Sequence, residues 1–266
     1  MSHDIRHILD NWDYDPSKSY RRIMGDNGRE KVQIRVDNAA FQGVLQMELD
    51  ERPDGRQPYG YDFVLDYYRQ SLQRYERAHG TKRGFELDEE NCAELFDESL
   101  RIYNRYVFLL QLQDYPRVVR DTNRNMELFR FVKAYARREK DRNKLERWWP
   151  YIIRINTTAR AMLVMKESQD FDVALQLVNE AAKKIEALEK VDVEEFEAER
   201  ERSLKALEEM KISICEHKPL TAVEKLQSRL ENAVRDERYE EAASLRDKLK
   251  NIGQSEPGEH SVQDDS

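Results

Sequence analysis

The spacing of apolar residues is the feature that most constrains this chain. From residue 61 onwards they recur three and four positions apart, which is the period of a helix with one buried face. Glycine and proline, which interrupt helices, number only 9 and 7 among 266 residues, and 37% of the residues are charged. This composition is typical of long, solvent-exposed helices. The sequence therefore predicts a mainly α fold of helical hairpins or a helical bundle.

The first sixty residues follow a different pattern. In KVQIRV the apolar residues Val32, Ile34 and Val36 alternate with polar ones, and VLQMEL repeats the alternation. A period of two predicts strands, so we expect a short β-hairpin around DNAAFQG. ERPDGRQPYG then predicts the turn that leaves this segment. This region also carries a cluster of polar residues, Arg35, Asp37, Gln46, Glu48, Arg52 and Asp54. The cluster could form a binding site, but the alternation of polar and apolar residues on half-buried strands explains it more simply.

Two predicted helices, at 61–79 and 87–113, are rich in aromatic residues. Their stripes consist of Phe63, Leu65, Tyr67, Tyr68, Leu72 and Tyr75 in the first helix, and Leu95, Phe96, Leu100, Tyr103, Val107 and Leu110 in the second. Amphipathic packing already explains this spacing. We therefore interpret these side chains as core and not as the lining of a ligand pocket.

Three short phrases share one layout: QDYPRVV from Gln113, QDFDVAL from Gln169 and ERYEEAA from Glu237. Each has a polar turn, an aromatic residue, and a small or β-branched residue three positions later. In a helix the last two lie on one face, where the smaller residue allows a preceding helix to approach closely. The phrases predict corners of antiparallel helical hairpins. Their spacing is too irregular for a tetratricopeptide array.

The segment 116–147 contains eleven Lys or Arg residues against five acids and runs into Trp148 and Trp149. Such a segment can bind phosphates and stack bases, although acids interleaved at helical spacing are typical of a solvated helix face. A nucleic-acid-associated accessory factor, similar to a DNA-repair protein, is therefore the alternative function. Residues 190–211 predict a lone long helix or a short coiled coil.

Residues 219–253 carry the clearest pattern. Thr221 and Glu224 follow Pro219 as a capping box, so a helix begins there. Its stripe is Val223, Leu226, Leu230, Ala233 and Val234. After the charged turn RDER, a second stripe follows with Tyr239, Ala242, Leu245, Leu249 and Ile252, and Gly253 closes the helix. The segment predicts two antiparallel helices.

This segment resembles the UvrB/UvrC (UVR) motif, which occurs in UvrB, in UvrC, in some Clp ATPases and in the activator of bacterial protein-arginine kinase. The residues that carry the resemblance are Leu226, Leu230, Ala233, Tyr239, Glu240, Ala242, Ala243, Leu245, Arg246 and Asp247. Leu230 stands where methionine is common, and Tyr239 replaces phenylalanine. The segment KVQIRVDNAAFQGVLQMELDERPDG likewise resembles bacterial proteins that end in a UVR motif, and it implies no activity.

The resemblance implies a hairpin that self-associates or binds another protein through these ten residues. Two short helices also bury too little surface to be stable alone. Tyr239 with Ala242 and Ala243 would admit a facing helix, while Arg246 and Asp247 would lock the hairpin or pair across an interface. The alternative is intramolecular docking, with the helix after Val193 covering the stripe.

Several functional classes find no support in the sequence. The five histidines are scattered, no Walker loop occurs, and Cys92 and Cys215 lack metal-ligand spacing. We therefore expect no enzyme, cofactor or metal. No apolar run suits a signal peptide or a membrane span, so we expect a cytoplasmic protein that does not bind membranes. The expected organisation is an N-terminal segment at 1–60, a helical bundle at 61–214, a UVR domain at 219–254 and a disordered acidic tail at 255–266.

Overall fold

The computed structural model describes residues 4–38, 40–220 and 222–253. The chain divides into two compact units, the first ending at Ile214 and the second beginning at Cys215. The fold is mainly α, with a small N-terminal sheet. The elements are α1 (Arg6–Leu9), β1 (Tyr20–Met24), β2 (Glu30–Asn38), β3 (Phe41–Glu48), α2 (Val64–His79), α3 (Glu89–Gln111), α4 (Tyr115–Tyr135), α5 (Glu139–Glu146), α6 (Trp149–Glu167), α7 (Phe171–Glu186), α8 (Glu194–His217), α9 (Ala222–Arg235) and α10 (Tyr239–Gly253).

The N-terminal strands form one antiparallel sheet in the order β1-β2-β3. The predicted hairpin is β2 with β3, in a register that pairs Ile34 with Leu45 and closes with Asn38 opposite Phe41. Strand β1 was not predicted; it pairs Tyr20 with Ile34 on the other side of β2. The alternation of apolar and polar residues matches the buried and exposed faces of the sheet only in part, because Leu45 is exposed while Arg35 is buried.

The sheet and the helices share a hydrophobic core. Val32, Ile34 and Leu49 are buried in one cluster with Ile102 of α3 and Val118 of α4. The N-terminal segment, predicted from the sequence as a separate part, therefore packs on the bundle within the first unit. Burying apolar surface from both parts is what holds them together.

A second core cluster joins α2 to the rest of the bundle. Leu65, Tyr68 and Leu72 of α2 are buried there, as their spacing predicts. The start of α2 is held by a carboxylate, because the backbone N–H groups of Val64 and Leu65 donate to Glu98 at 2.6 and 3.0 Å. Glu98 thus satisfies donors that have no partner inside the helix.

The buried face of α3 differs from the predicted stripe. Leu100 and Tyr103 are 56% and 38% exposed, whereas Ile102, Tyr106 and Leu109 are buried. Apolar residues surround this helix on several sides, so periodicity alone selects no single face. The interpretation of the whole aromatic stripe as core is therefore wrong for Leu100 and Tyr103.

The three predicted corners are present. Gln113, Gln169 and Glu237 all have positive φ, between 54° and 58°, and α4, α7 and α10 each begin two residues later. The small or β-branched residues Val118, Ala174 and Ala242 are buried. Each left-handed residue ends one helix and reverses the chain, which produces the hairpins α3–α4, α6–α7 and α9–α10.

Helix α8 is long, as predicted, but it is not alone. Leu207 and Ile214 are buried in a cluster with Ala161 of α6 and Val178 of α7. Arg154 of α6 also reaches Glu199 of α8, at 3.4 Å. Its apolar positions therefore pack within the bundle, and the coiled coil stays unconfirmed.

Some predictions lie outside the described residues. They are the capping box of Thr221 and Glu224, the inward position of Ile252 and the acidic tail at 255–266. In the part of the chain that the structure describes, no helix combines the length and the apolar character needed to cross a membrane.

Candidate functional site

The candidate site is the C-terminal hairpin of α9 and α10. Its core is small: Ala233, Ala242 and Leu245 are buried between the helices, with Leu226 and Leu230 partly buried beside them. Ala233 and Ala242 lie near the corner that joins α9 to α10. Their small side chains allow the two helices to approach closely there.

Charged side chains close one side of the hairpin. Arg229 of α9 reaches Glu241 of α10 at 3.5 Å, and Arg238 at the corner pairs with Glu241 at 2.6 Å and with Asp236 at 2.8 Å. The hydrogen bond to Asp236 and the nearby charge of Glu241 raise the pKa of Arg238. These pairs are exposed, so they orient the corner more than they stabilise it.

The opposite side of the hairpin is apolar and open. Val223, Val234 and Tyr239 are 36%, 50% and 67% exposed. At 100° per residue, Val223 and Val234 lie on the same side of α9, away from Arg229, and Tyr239 lies away from Glu241 on α10. We call the side with Val223, Val234 and Tyr239 the open face.

Tyr239 stands out when the three corners are compared. At the equivalent positions, Tyr115 is 5% exposed and Phe171 is partly buried in the core of the first unit, whereas Tyr239 is 67% exposed. In the first unit other elements cover the corner aromatic. Within its own hairpin, Tyr239 has no such cover.

The ten residues that carry the resemblance divide between the inside and the surface of the hairpin. Leu226, Leu230, Ala233, Ala242 and Leu245 pack between the two helices, whereas Tyr239, Glu240, Ala243, Arg246 and Asp247 are exposed. Among the described side chains, neither Arg246 nor Asp247 forms an ion pair; Arg229 and Glu241 join the helices instead. Val223 and Val234 were noted only as part of the stripe, and their exposure adds them to the candidate surface.

Residues 221–255 match the UvrB/uvrC motif. The second unit is thus built around a UVR hairpin, and the UVR motif, known from UvrB and UvrC in DNA repair, is an interaction module. None of the curated proteins and none of the solved structures matches this chain. The match spans 35 of the 266 residues, so it describes the UVR hairpin and leaves the first unit to be understood from its own structure.

The basic segment 116–147 does not present a continuous positive face. Seven of its eleven Lys and Arg residues form ion pairs with carboxylates: Arg117, Arg120, Arg124, Lys133, Arg137, Arg138 and Arg147. Arg117 and Arg120 share Asp50 with their nearest atoms at 2.8 Å. Most of the positive charge in this segment therefore fastens helices to neighbouring elements.

An aromatic cleft of about 710 Å³ opens beside α3 and α6. It is lined by Phe96, Tyr103 and Tyr151, among others, so the exposed part of the predicted stripe borders a cavity. Among its lining residues, the buried Asn125 donates to the carbonyl of Ser99 at 3.0 Å. The described residues contain no group of three His, Cys, Asp or Glu side chains placed to hold a metal.

Proposed function

We propose that this protein is a non-catalytic adaptor or scaffold that binds another protein, or a second copy of itself, through the open face of the UVR hairpin. The observation that carries the proposal is the exposure of Val223, Val234 and Tyr239 on one side of a hairpin with so small a core. Two short helices gain stability when a third helix covers such a face.

The chemistry of the open face suits an amphipathic helix. Tyrosine offers a large apolar ring with a hydroxyl that hydrogen-bonds at an interface, and it is among the residues most enriched at binding hot spots. Val223 and Val234 add exposed apolar surface on the same side of the hairpin. Arg246, which helical geometry places on the same side of α10, supplies a charge at the rim for an acidic residue of the partner.

The test compares two double variants of the full chain in affinity capture from the source cells. Val234→Glu with Tyr239→Glu places two charges on the open face, whereas Asn232→Glu with Ser244→Glu adds the same charges at exposed positions away from it. All four positions lie outside the hairpin core, so both variants should keep the helical content of the wild type. Substitutions at Ala242 are unsuitable because that residue is buried between the helices.

We expect the proteins captured by the wild type to be lost with the first variant and retained with the second. Removing a Tyr anchor costs about 2 kcal/mol or more at a hot spot, roughly a thirtyfold loss of affinity. Equal capture by both variants would refute the proposal. Sedimentation of the purified variants tests self-association in the same way.

The alternative, a nucleic-acid-associated accessory factor, stays a prediction. Its proposed surface is the segment 116–147, where seven basic side chains are already engaged with carboxylates. Phosphate binding weakens steeply as salt rises, whereas docking of an apolar face does not. Binding that disappears between 50 and roughly 200 mM salt would therefore favour the alternative.

A further inference from the structure

A second cleft in the first unit lies across α6, between α4 and the end of α7, with Phe196 of α8 among its lining residues. Its volume is about 660 Å³, within the range of ligand-binding clefts. This cleft is separate from the UVR hairpin, because every residue that lines it lies before Ile214. We call it the α6 cleft.

The α6 cleft is positive in a chain of net charge -8. Arg130, Lys133, Arg160 and Lys184 line it, against two carboxylates, Glu146 and Glu189. Lys133 pairs with both carboxylates, at 2.7 and 3.4 Å. Two positive charges remain in excess, and a concave surface of one sign concentrates ligands of the opposite sign.

The three other cations differ from most basic residues of the first unit. Among the described side chains, Arg130, Arg160 and Lys184 have no carboxylate within ion-pair distance; Arg130 lies instead over the ring of Trp149, 5.3 Å from its centre. Segment 116–147, to which Arg130 belongs, pairs most of its basic residues, so three unpaired cations around one cleft leave positive charge available to an external anion.

The cations are spread along the cleft. Arg130 lies over the ring of Trp149, which is eleven residues before Arg160 on α6. The Cα atoms of Trp149 and Arg160 are therefore about 16 Å apart along the helix, at 1.5 Å per residue. One phosphate or carboxylate cannot span that distance, but about five residues of extended peptide can, at roughly 3.3 Å each. The spacing favours an extended ligand with several negative charges.

The rest of the lining suits a peptide. Asn156 is buried, and its amide donates to Oδ1 of Asn123 at 3.0 Å, so the amide nitrogen of Asn123 remains available as a donor for a backbone carbonyl. Met126, Ile153 and Phe196 supply apolar surface between the cations. Nucleic acid is disfavoured because the ring of Trp149 already packs against Phe129, at 5.6 Å between ring centres, and against Arg130, at 5.3 Å, which leaves less of the ring for stacking on a base.

We propose that the α6 cleft binds an extended acidic peptide segment of another protein, with acidic residues near Arg130, Arg160 and Lys184 and an apolar residue between them. The adaptor then has two separate binding surfaces, an apolar one on the UVR hairpin and a cationic one on the first unit.

The test uses the full chain and a fluorescein-labelled pentapeptide, Asp-Glu-Leu-Glu-Asp, with Asn-Gln-Leu-Gln-Asn as the uncharged control. Fluorescence anisotropy measures binding to the wild type, to Arg130→Ala/Arg160→Ala/Lys184→Ala, and to Lys140→Ala/Lys166→Ala/Lys183→Ala. The second triple variant removes the same charge from exposed positions that do not line the cleft. Circular dichroism checks that both are folded.

We expect the acidic peptide to bind the wild type, to lose affinity at least tenfold in the first variant, and to bind the second as before. The unlabelled peptide should also change the fluorescence of Trp149, and Trp149→Phe should remove that change. Absence of binding to the wild type, or an equal loss in both triple variants, would overturn the proposal. Displacement of the peptide by a single-stranded oligonucleotide or by ATP at lower concentration would show that the ligand class is wrong.

Discussion

Individual charged residues fasten the sheet to the bundle. Arg105 of α3 is completely buried; its Nε and Nη2 donate to Asp121 of α4 at 2.7 and 2.8 Å, and its Nη1 donates to the backbone carbonyls of Glu48 and Glu51. The guanidinium thus joins two helices to the end of β3. A buried ion pair of this kind stabilises the fold only while both the guanidinium and the carboxylate are present, because either charge buried alone is costly.

We expect Arg105→Met to lower the free energy of unfolding by about 3 kcal/mol, because it removes the two hydrogen bonds of Arg105 to the buried carboxylate of Asp121 and leaves that carboxylate only the partly exposed Arg120, at 2.9 Å. Urea denaturation followed by circular dichroism measures the change. The double variant Arg105→Met/Asp121→Leu should recover part of the loss. A loss below about 1 kcal/mol in the single variant would contradict this role for Arg105.

Asp50 predicts a pH dependence of stability. Hydrogen bonds from Arg117 and Arg120 lower the pKa of Asp50 to about 2. Because the folded-state pKa is below that of an unfolded chain, these contacts stabilise the fold above about pH 4, and this stabilisation is lost as the pH falls towards 2.

The comparison of wild type with Asp50→Asn isolates this effect. We expect the wild type to be the more stable at pH 7, by a modest amount because Asp50 is half exposed, and the difference to shrink as the pH falls from about 4 to 2. A difference that stays constant over that interval would show that the carboxylate does not contribute through its charge.

The burial of charged side chains could not be predicted from the sequence. Glu98 and Arg105 occupy positions in α3 that look solvent-facing, and the groups they contact lie 16 to 57 residues away in the chain. The spacing of residues within a helix cannot predict contacts with residues so distant in the chain. The polar cluster around Arg35 and Arg52 was interpreted as the solvent side of a strand, yet both arginines are buried.

At the scale of elements, the corners were the most predictable feature. A polar turn, an aromatic residue and a small or β-branched residue three positions later predict the corners at Gln113, Gln169 and Glu237. The structure adds that each of these three residues has a left-handed backbone that ends one helix before the next begins. Strand β1 was missed because YRRIM contains two adjacent arginines, which interrupt the alternation.

The left-handed corners predict a stabilising substitution. Residues other than glycine pay roughly 1 kcal/mol for positive φ, so Gln169→Gly should raise the free energy of unfolding by up to about that amount. Lys205→Gly, at an exposed position within α8, is the matched control and should lower it by about 1 kcal/mol. Thermal unfolding compares the two. A destabilising Gln169→Gly would mean that this side chain, not the backbone, sustains the corner.

The choice of helix face could not be predicted for α3. Its apolar residues cover more than one side, and only the positions of α4 and α6 decide that Ile102 faces the core while Tyr103 borders the aromatic cleft. In α9 and α10 the described stripe residues divide into two groups. Those between the helices are Leu226, Leu230, Ala233, Ala242 and Leu245, whereas Val223, Val234 and Tyr239 are exposed.

At the scale of the whole molecule, the chain combines a bundle with a self-contained core and a UVR hairpin whose apolar side is not covered within the hairpin. Length, composition and periodicity predicted the mainly α fold, and ten residues predicted the motif. The clefts of the first unit were not foreseen, since their lining comes from four or more helices that are distant in sequence.

The most direct test of the open face is site-specific photo-crosslinking in the source cells. Benzoylphenylalanine, which resembles tyrosine, replaces Tyr239 in one variant of the full chain and Ser244, exposed on the other side of α10, in the control. We expect a crosslinked product with another protein, or with a second copy of this chain, from position 239 and none from position 244. Crosslinks only within the same chain, or equal products from both positions, would contradict the assignment of the open face as the interaction surface.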